Sequence, residues 1–143
     1  MWKFALTTLW LIAMSTFDLV EKRVPVWLLA AGGIPAMVIS LYVYVTGKGS
    51  WDQILFGMIP GGLLLAVAAV TKKVGWADGI VLLIIGLLTN MWECMTCFII
   101  SLMIMSAVSL FLVVLKRVRK NTTLPYIPFL CAGYLLRVVV WAA

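Results

Sequence analysis

Asp18 and Asp78 are the two residues of this sequence whose type and position point most directly to chemistry. Each lies where a long apolar run meets a basic loop, in a 143-residue chain with five acidic residues and no histidine. A carboxylate inside a membrane costs free energy, about 2.5 to 3.5 kcal/mol at the centre of a spanning helix and less near its end. Two carboxylates that share one water-accessible pocket would have the groups needed to hydrolyse a peptide bond.

Hydrolysis by a pair of carboxylates requires that one be ionised and the other protonated. The ionised carboxylate takes a proton from water, and the protonated one polarises the scissile carbonyl. Two like charges a few ångströms apart do not both ionise easily, so a close pair shares one proton. We therefore expect a reaction that needs no metal ion and no other cofactor.

The composition is that of an integral membrane protein. The chain is 65% hydrophobic and 11% charged, whereas a soluble domain is about half apolar and about a quarter charged. We expect one transmembrane domain over residues 1–143, without a separate soluble domain. The net charge of +6 comes from short loops, which favours contact with the lipid bilayer and predicts no binding of nucleic acid.

Six apolar runs predict an all-α membrane protein, a bundle of six transmembrane helices. The first is expected to be a retained helix, because another apolar run follows its charged turn. Pro60-Gly61-Gly62 lies inside the third run and should kink that helix or let a neighbour approach closely. The runs are roughly Trp2–Phe17, Val26–Val45, Ile54–Val70, Gly79–Thr89, Met91–Leu115 and Leu124–Trp141.

Lysine and arginine are concentrated in alternate loops. Eight of the 11 basic residues fall in the first, third and fifth loops, namely Lys22, Arg23, Lys72, Lys73, Lys116, Arg117, Arg119 and Lys120. The positive-inside rule places these loops in the cytoplasm and both termini outside. Asp18 opens the first loop and Asp78 closes the third, so we expect both aspartates at the cytoplasmic face.

Each acidic residue also has a simpler interpretation. Asp18 would then be a solvated residue that ends the first helix, and Asp78 would cap the N-terminus of the fourth. Glu21 is a rival partner for Asp78, although its basic neighbours favour a role as a loop charge. Asp52 and Glu93 are expected to be boundary residues on the outer side.

The three cysteines give little sign of a special site. Cys94 and Cys97 form a lone Cys-x-x-Cys, with no second pair and no histidine to complete a zinc site, and Cys131 stands apart. We expect them to be small packing residues. A disulfide at the outer face is the alternative.

Three segments, in order along the chain, resemble motifs of the type IV prepilin peptidases. The segment DLVEKRVPVWL from Asp18 resembles the first aspartate motif, at the end of helix one. The segment GWADG from Gly75 resembles the Gly-x-Gly-Asp motif at the start of helix four. The segment LPYIPFLCAGYLL from Leu124 is similar to the last helix of that family.

This resemblance implies an intramembrane aspartyl protease with Asp18 and Asp78 as the catalytic pair. Such enzymes sit in the inner or plasma membrane of prokaryotes and remove the basic leader of prepilins or pseudopilins, so the implied partner is the substrate helix. The resemblance places no zinc-bearing methylation domain here, because the first loop has only a few residues.

Six further residues are implied to bind substrate or to shape the site. Gly75 belongs to the loop that shapes the site. Ala77 replaces the second glycine of the motif, so we expect either reduced activity of the protein or a slightly different loop. Pro125 and Pro128 would hold the last helix near the site. Lys72 and Lys73 would pair with an acidic residue of the substrate, or would only set the topology.

Other functions remain open from the sequence. A preflagellin peptidase would differ in its substrate, while a presenilin-like enzyme is less favoured because the chain lacks Pro-Ala-Leu. A proton-coupled carrier would use the same carboxylates as a relay. A catalytically inactive assembly factor is the last alternative, and Ala77 favours it.

Overall fold

The computed structural model describes residues 2–72, 75–117, 119 and 124–143, and the regular structure within them is entirely helical. Each predicted apolar run corresponds to one helix, which confirms the expectation of an all-α protein. Four helices, α1, α2, α3 and α5, are long and apolar enough to cross a membrane, and α4 and α6 are shorter apolar helices. That all six cross the bilayer stays a prediction. The helices are α1 (Trp2–Glu21), α2 (Val26–Val45), α3 (Trp51–Thr71), α4 (Trp76–Leu88), α5 (Met91–Val114) and α6 (Ile127–Ala142).

The short helix α4 occupies the middle of the bundle, packed by α2, α3 and α5. Six of its 13 residues are buried, including Val81, Leu82 and Ile85. A helix that is apolar all round is expected where neighbours cover every face. Asp78, in the first turn of this helix, is half-buried.

Glycines bring α3 and α4 into close contact. Gly57 packs on the backbone of Gly86, and Gly61 packs on the backbone of Leu83, so that a Cβ at either α3 glycine would overlap α4. Small residues allow two membrane helices to approach in this way. The expected close approach at Pro60-Gly61-Gly62 is therefore confirmed, and Pro60 itself is buried within α3.

Helix α6 packs between α1 and α5 and completes the other side of the bundle. Leu11 and Met14 of α1 and Ile127 and Leu130 of α6 are all fully buried and belong to one apolar cluster. Burial of such side chains is worth about 1.5 to 3 kcal/mol each. The packing sets the last turn of α1 beside the first turn of α6.

The helices α1, α3 and α5 are each followed closely by a lysine in the left-handed conformation, with φ of 53° at Lys22, 52° at Lys72 and 54° at Lys116. Such a residue commonly terminates a helix, although it is usually glycine. At the end of α1 the N–H of Lys22 donates to the carbonyl of Asp18 at 3.1 Å. Asp18 therefore lies within the last turn of α1, and the prediction that it opens the loop is wrong by about one turn.

Candidate active site

The first, third and fifth connections of the chain meet at one end of the bundle, around an open cavity of roughly 760 Å³. Asp18 and Asp78 both line this cavity, so the structure brings the two aspartates together. The other lining residues are Lys22, Arg23, Val24, Leu64, Gly75, Trp76, Ala77, Phe98, Leu102, Met105, Leu124, Pro125 and Tyr126. A volume of this size is typical of sites that enclose a ligand.

The packing of α1 on α6 positions Asp18, which lines the cavity. The residue is only 8% exposed, and its Oδ2 atom accepts no hydrogen bond from the part of the chain that the structure describes. The backbone N–H of Ile127, the first residue of α6, is directed at the carboxylate. This N–H has no partner within its own helix, and the positive end of a helix favours a nearby carboxylate.

Asp78 is the third residue of α4 and is half-buried. The N-cap of α4 is Gly75, so the interpretation of Asp78 as the N-cap residue is wrong, although its carboxylate reaches back to the backbone N–H of Gly75. Its backbone N–H donates to the carbonyl of Gly75 at 3.2 Å. Both aspartates thus lie at the positive end of a helix, Asp78 in α4 and Asp18 against α6.

The two carboxylates line one cavity. Two carboxylates a few ångströms apart share a proton, because ionising both would place two like charges side by side. Lys22 and Arg23 also line the cavity, and both are exposed. The site therefore offers a proton donor, a proton acceptor and two cations around one open volume.

Gly75 matters for space and not for conformation. Its φ of −68° and ψ of 132° are open to any residue. A Cβ at this position, however, would lie 3.1 Å from Oδ2 of Asp78, which is tighter than ordinary van der Waals contact. A side chain at residue 75 would therefore push on the Asp78 carboxylate.

Ala77 lies inside α4 with the helical backbone of its neighbours, and it lines the cavity. It is not among the residues with positive φ. Alanine is the residue best suited to a helix. The position therefore does not require the conformational freedom of glycine, and the expected effect of Ala77 on the shape of the loop has no backbone basis here.

The remaining predicted site residues are placed differently. Pro125 lines the cavity. Pro128 is the second residue of α6, where its lack of an N–H removes a donor that would have no partner. Lys72 is exposed at the end of α3 and is not part of the cavity lining. Lys73 lies outside the described residues.

Ten of the 15 residues that line this cavity were not predicted as site residues from the sequence. Phe98, Leu102 and Met105 are spaced by four and three residues along α5 and form an apolar wall. Tyr126 lines the cavity just before α6 and is 8% exposed. Helical spacing alone did not single out the wall, because α5 is apolar on every side. The Tyr126 hydroxyl within a Pro-Tyr-Ile-Pro segment was the available signal.

The cysteines are buried, and all three are free thiols. Sγ of Cys94 lies 3.7 Å from the carbonyl oxygen of Leu82, and Sγ of Cys97 lies 3.9 Å from that of Leu130. They pack between helices, as expected. Within residues 2–72, 75–117, 119 and 124–143, no group of three potential metal ligands comes together.

A second charged pair was not foreseen. Glu93 at the start of α5 and Arg137 in α6 form an ion pair with 2.7 Å between Oε1 and a guanidinium nitrogen. The guanidinium carbon also lies 5.9 Å from the centre of the Phe4 ring, within cation–π range. Glu93 is therefore more than a boundary residue, because it neutralises a buried cation. The lone arginine inside the last apolar run was the signal for a partner.

The fold and the cavity define a multi-pass helical membrane protein with a carboxylate-bearing site at one end. Residues 5–110 match the model of the type IV leader peptidase family. Since this match spans more than half of the chain, the protein belongs to the type IV leader peptidase family, as the sequence motifs indicated, and the family implies a protease. The comparisons found no matching curated protein and no matching solved structure.

Proposed function

We propose that this protein is an intramembrane aspartyl endopeptidase that removes the basic leader from prepilins or prepilin-like proteins at the cytoplasmic membrane face. The observation that carries the proposal is the placement of Asp18 and Asp78 in one cavity, in a chain of the leader peptidase family. Both residues lie within the matched range. The carboxylate pair is the group on which the reaction depends.

In the proposed reaction the pair holds one proton. The ionised carboxylate removes a proton from a water molecule, which attacks the scissile carbonyl carbon, while the protonated carboxyl donates a hydrogen bond to the carbonyl oxygen. The positive ends of α4 and α6 stabilise the negative charge that remains at the site. When the tetrahedral intermediate collapses, the C–N bond breaks and the leaving amine takes a proton from a carboxyl group.

The chemistry of the cavity walls fits a substrate with one apolar part and one basic part. Phe98, Leu102 and Met105 provide an apolar wall for the substrate helix on one side of the scissile bond. Lys22 and Arg23 repel a basic leader. The leader is therefore expected to extend away from the cavity towards water once the apolar helix has docked.

The proposed orientation follows from charge. Loops one, three and five meet at the cavity end, and their exposed basic residues include Lys22, Lys72 and Lys116. The positive-inside rule then puts this end in the cytoplasm, with the protein in the inner or plasma membrane of a prokaryote. A cysteine introduced at exposed Lys72 should react with a membrane-impermeant thiol reagent from the cytoplasmic side only.

The test of function is a cleavage assay on the purified protein in lipid. The substrate is a peptide with a basic leader and the following apolar helix, and the variants are Asp18→Asn and Asp78→Asn. Asp52→Asn serves as the matched control, because Asp52 is an exposed acidic residue in the first turn of α3. Cleavage by the parent and the control, and by neither active-site variant, is the expected result.

One other result would reject the proposal, and another would change only its substrate. A parent protein that cleaves none of several prepilin-type peptides, while its thermal unfolding shows an intact fold, would favour a protein without peptidase activity. Proton transport by the same protein in vesicles, lost in Asp78→Asn, would then identify a carrier. A parent that cleaves a preflagellin peptide but no prepilin peptide would retain the chemistry and change the substrate.

A further inference from the structure

Tyr126 stands at the junction of three parts of the site. It immediately precedes α6, lines the cavity that holds both aspartates, and is 8% exposed. The next residue, Ile127, directs its N–H at Asp18, and the charge of Asp78 acts on the Tyr126 hydroxyl. Tyr126 therefore lines the same cavity as both of the groups that are proposed to handle the scissile carbonyl.

The hydroxyl of Tyr126 is anchored by α5. Its Oη atom lies 2.7 Å from Oγ of Ser101, a fully buried residue. Oγ of Ser101 also lies 2.7 Å from the carbonyl oxygen of Phe98. A serine hydroxyl carries a single proton, so Ser101 donates either to Phe98 or to Tyr126.

The two settings, in which the Ser101 proton is donated either to Phe98 or to Tyr126, differ in the direction of the Tyr126 hydroxyl proton. When Ser101 donates to Phe98, Tyr126 donates to Ser101 and its proton points away from the carboxylates. When Ser101 donates to Tyr126, the Tyr126 proton becomes free to point into the cavity. A rotation of two hydroxyl groups converts one setting into the other, without movement of the backbone.

We propose that Tyr126 is a further catalytic residue, whose hydroxyl turns from Ser101 to donate a hydrogen bond to the carbonyl oxygen of the scissile peptide. The inference rests on the peptidase function proposed above and adds a second donor to the protonated carboxyl. Ser101 is the positioning residue, because it keeps the phenol oxygen in place in both settings. A preorganised donor of this kind stabilises the charge that develops on the oxygen.

The chemical step balances without any group beyond the substrate and water. As the water oxygen bonds to the carbonyl carbon, the electron pair of the C=O π bond moves onto the oxygen, where the Tyr126 O–H and the carboxyl stabilise it. When this electron pair re-forms the C=O π bond, the C–N bond breaks and the amine receives its proton from a carboxyl group. Tyr126 keeps its own proton throughout.

The protonation of Tyr126 agrees with a donor role. Burial raises the pKa of the Tyr126 hydroxyl above its usual range, because the phenolate would lose its water, and the nearby charge of Asp78 acts in the same direction. The group is therefore neutral at physiological pH. A neutral phenol in a largely buried position gives its hydrogen bond to an oxygen that gains negative charge in the transition state.

The test compares Tyr126→Phe, Ser101→Ala and the double variant in the same cleavage assay. Tyr126→Phe keeps the ring and removes the donor, so we expect kcat to fall about 10- to 100-fold with KM changed less than about 2-fold. Ser101→Ala leaves the donor in place and should lower kcat less than about 5-fold. In the Ser101→Ala background, Tyr126→Phe should still lower kcat about 10-fold.

Tyr134→Phe is the matched control, because Tyr134 is a fully buried tyrosine of α6 that is not part of the cavity lining. It should cleave like the parent. An equal fall in kcat for Tyr126→Phe, Ser101→Ala and the double variant would show that the Tyr126–Ser101 hydrogen bond only holds the structure together. That result would overturn the proposal. A Tyr126→Phe protein that does not fold, or one that cleaves like the parent, would overturn it as well.

The assay also separates this inference from the function on which it rests. Cleavage that is lost in Asp18→Asn but unchanged in Tyr126→Phe would leave the aspartyl peptidase standing and remove the Tyr126 donor. A folded parent that cleaves none of the peptides would reject the proposed function, and the catalytic role of Tyr126 with it.

Discussion

Asp78 and Glu93 occupy the same position in their helices, yet the charged groups beside them differ in sign. Each is the third residue of its helix, Asp78 in α4 and Glu93 in α5. Glu93 pairs with the guanidinium of Arg137 at 2.7 Å. Asp78 instead shares an open cavity with a second carboxylate, that of Asp18. The same helix position thus carries a carboxylate paired with a cation at one site and a carboxylate beside a second carboxylate at the other.

The charged groups at the first site stabilise the fold, whereas those at the second are suited to chemistry. Arg137 is almost fully buried, so Glu93 and the Phe4 ring together offset the cost of placing a cation among the helices. Asp18 is buried to the same degree, but Oδ2 has no donor among the described residues. A buried acid beside another acid lowers stability and is typical of a functional site.

The largest expected effect is at the site of the two aspartates. Asp78→Asn keeps the shape of the side chain but removes its acid and base functions, so cleavage should fall about 10²- to 10⁴-fold. Its thermal unfolding temperature should stay equal to that of the parent or rise, because the cost of holding two carboxyl groups side by side is removed. The measurements are initial cleavage rates and unfolding temperatures in the same lipid.

The result that would break the comparison is a loss of stability in Asp78→Asn. Such a loss would mean that the carboxylate holds the fold together, as Glu93 does. The control Asp52→Asn should change neither quantity, since Asp52 is exposed.

The next largest effect is expected at the ion pair of Glu93 and Arg137. Arg137→Met leaves the Glu93 carboxylate without its cation, and we expect a loss of about 3 to 5 kcal/mol in the free energy of unfolding. The double variant Glu93→Leu, Arg137→Met removes both charges and should recover most of that loss. Denaturant unfolding in micelles measures both.

Cleavage per folded molecule should be unchanged in both of these variants, because the pair lies outside the cavity. A folded Arg137→Met protein with the stability of the parent would show that the ion pair contributes nothing. A folded variant with the activity of Asp78→Asn would instead couple the two charged regions.

A smaller effect is expected at Gly75. Gly75→Ala places a Cβ 3.1 Å from Oδ2 of Asp78, so the carboxylate must shift by a few tenths of an ångström. Since catalysis depends steeply on geometry, we expect kcat to fall about 3- to 10-fold. Gly62→Ala is the matched control, because a Cβ at Gly62 meets nothing within 4 Å. Equal activity of the two variants would exclude crowding at Asp78.

Most of the fold could be predicted from the sequence, because a chain in lipid has few options. Apolar runs separated by charged or polar turns must be helices there, since every backbone donor needs a partner within its own segment. The boundaries of α2 were predicted without error and those of the other helices within a few residues. The end of α1 was missed because its last turn closes on the Lys22 N–H, and nothing in the types of Asp18 or Glu21 indicates that bond.

The site could be predicted only in part, for a similar reason. Asp18 and Asp78 stood out because acids are rare in an apolar chain. Tyr126 and its bond to Ser101 did not stand out, because tyrosine and serine are ordinary residues at a helix end and inside a helix. The Glu93–Arg137 pair needed the distance between α5 and α6, which a single sequence does not contain.

The smallest effect is expected at Ala77, the position where the motif of the family has glycine. Ala77 lies in the first turn of α4 with a helical backbone, and it lines the cavity. Ala77→Gly should lower helix stability by at most about 1 kcal/mol and change kcat less than about 2-fold. Gly75→Ala adds a Cβ next to the Asp78 carboxylate, whereas Ala77→Gly removes a Cβ two residues further along the chain. The kcat values of the two variants therefore show at which of these positions a Cβ affects the reaction. An Ala77→Gly variant with a kcat at least about 10-fold above that of the parent would contradict this expectation. It would show that the Cβ of Ala77 obstructs the substrate, and that steric crowding limits the reaction at residue 77 instead of residue 75.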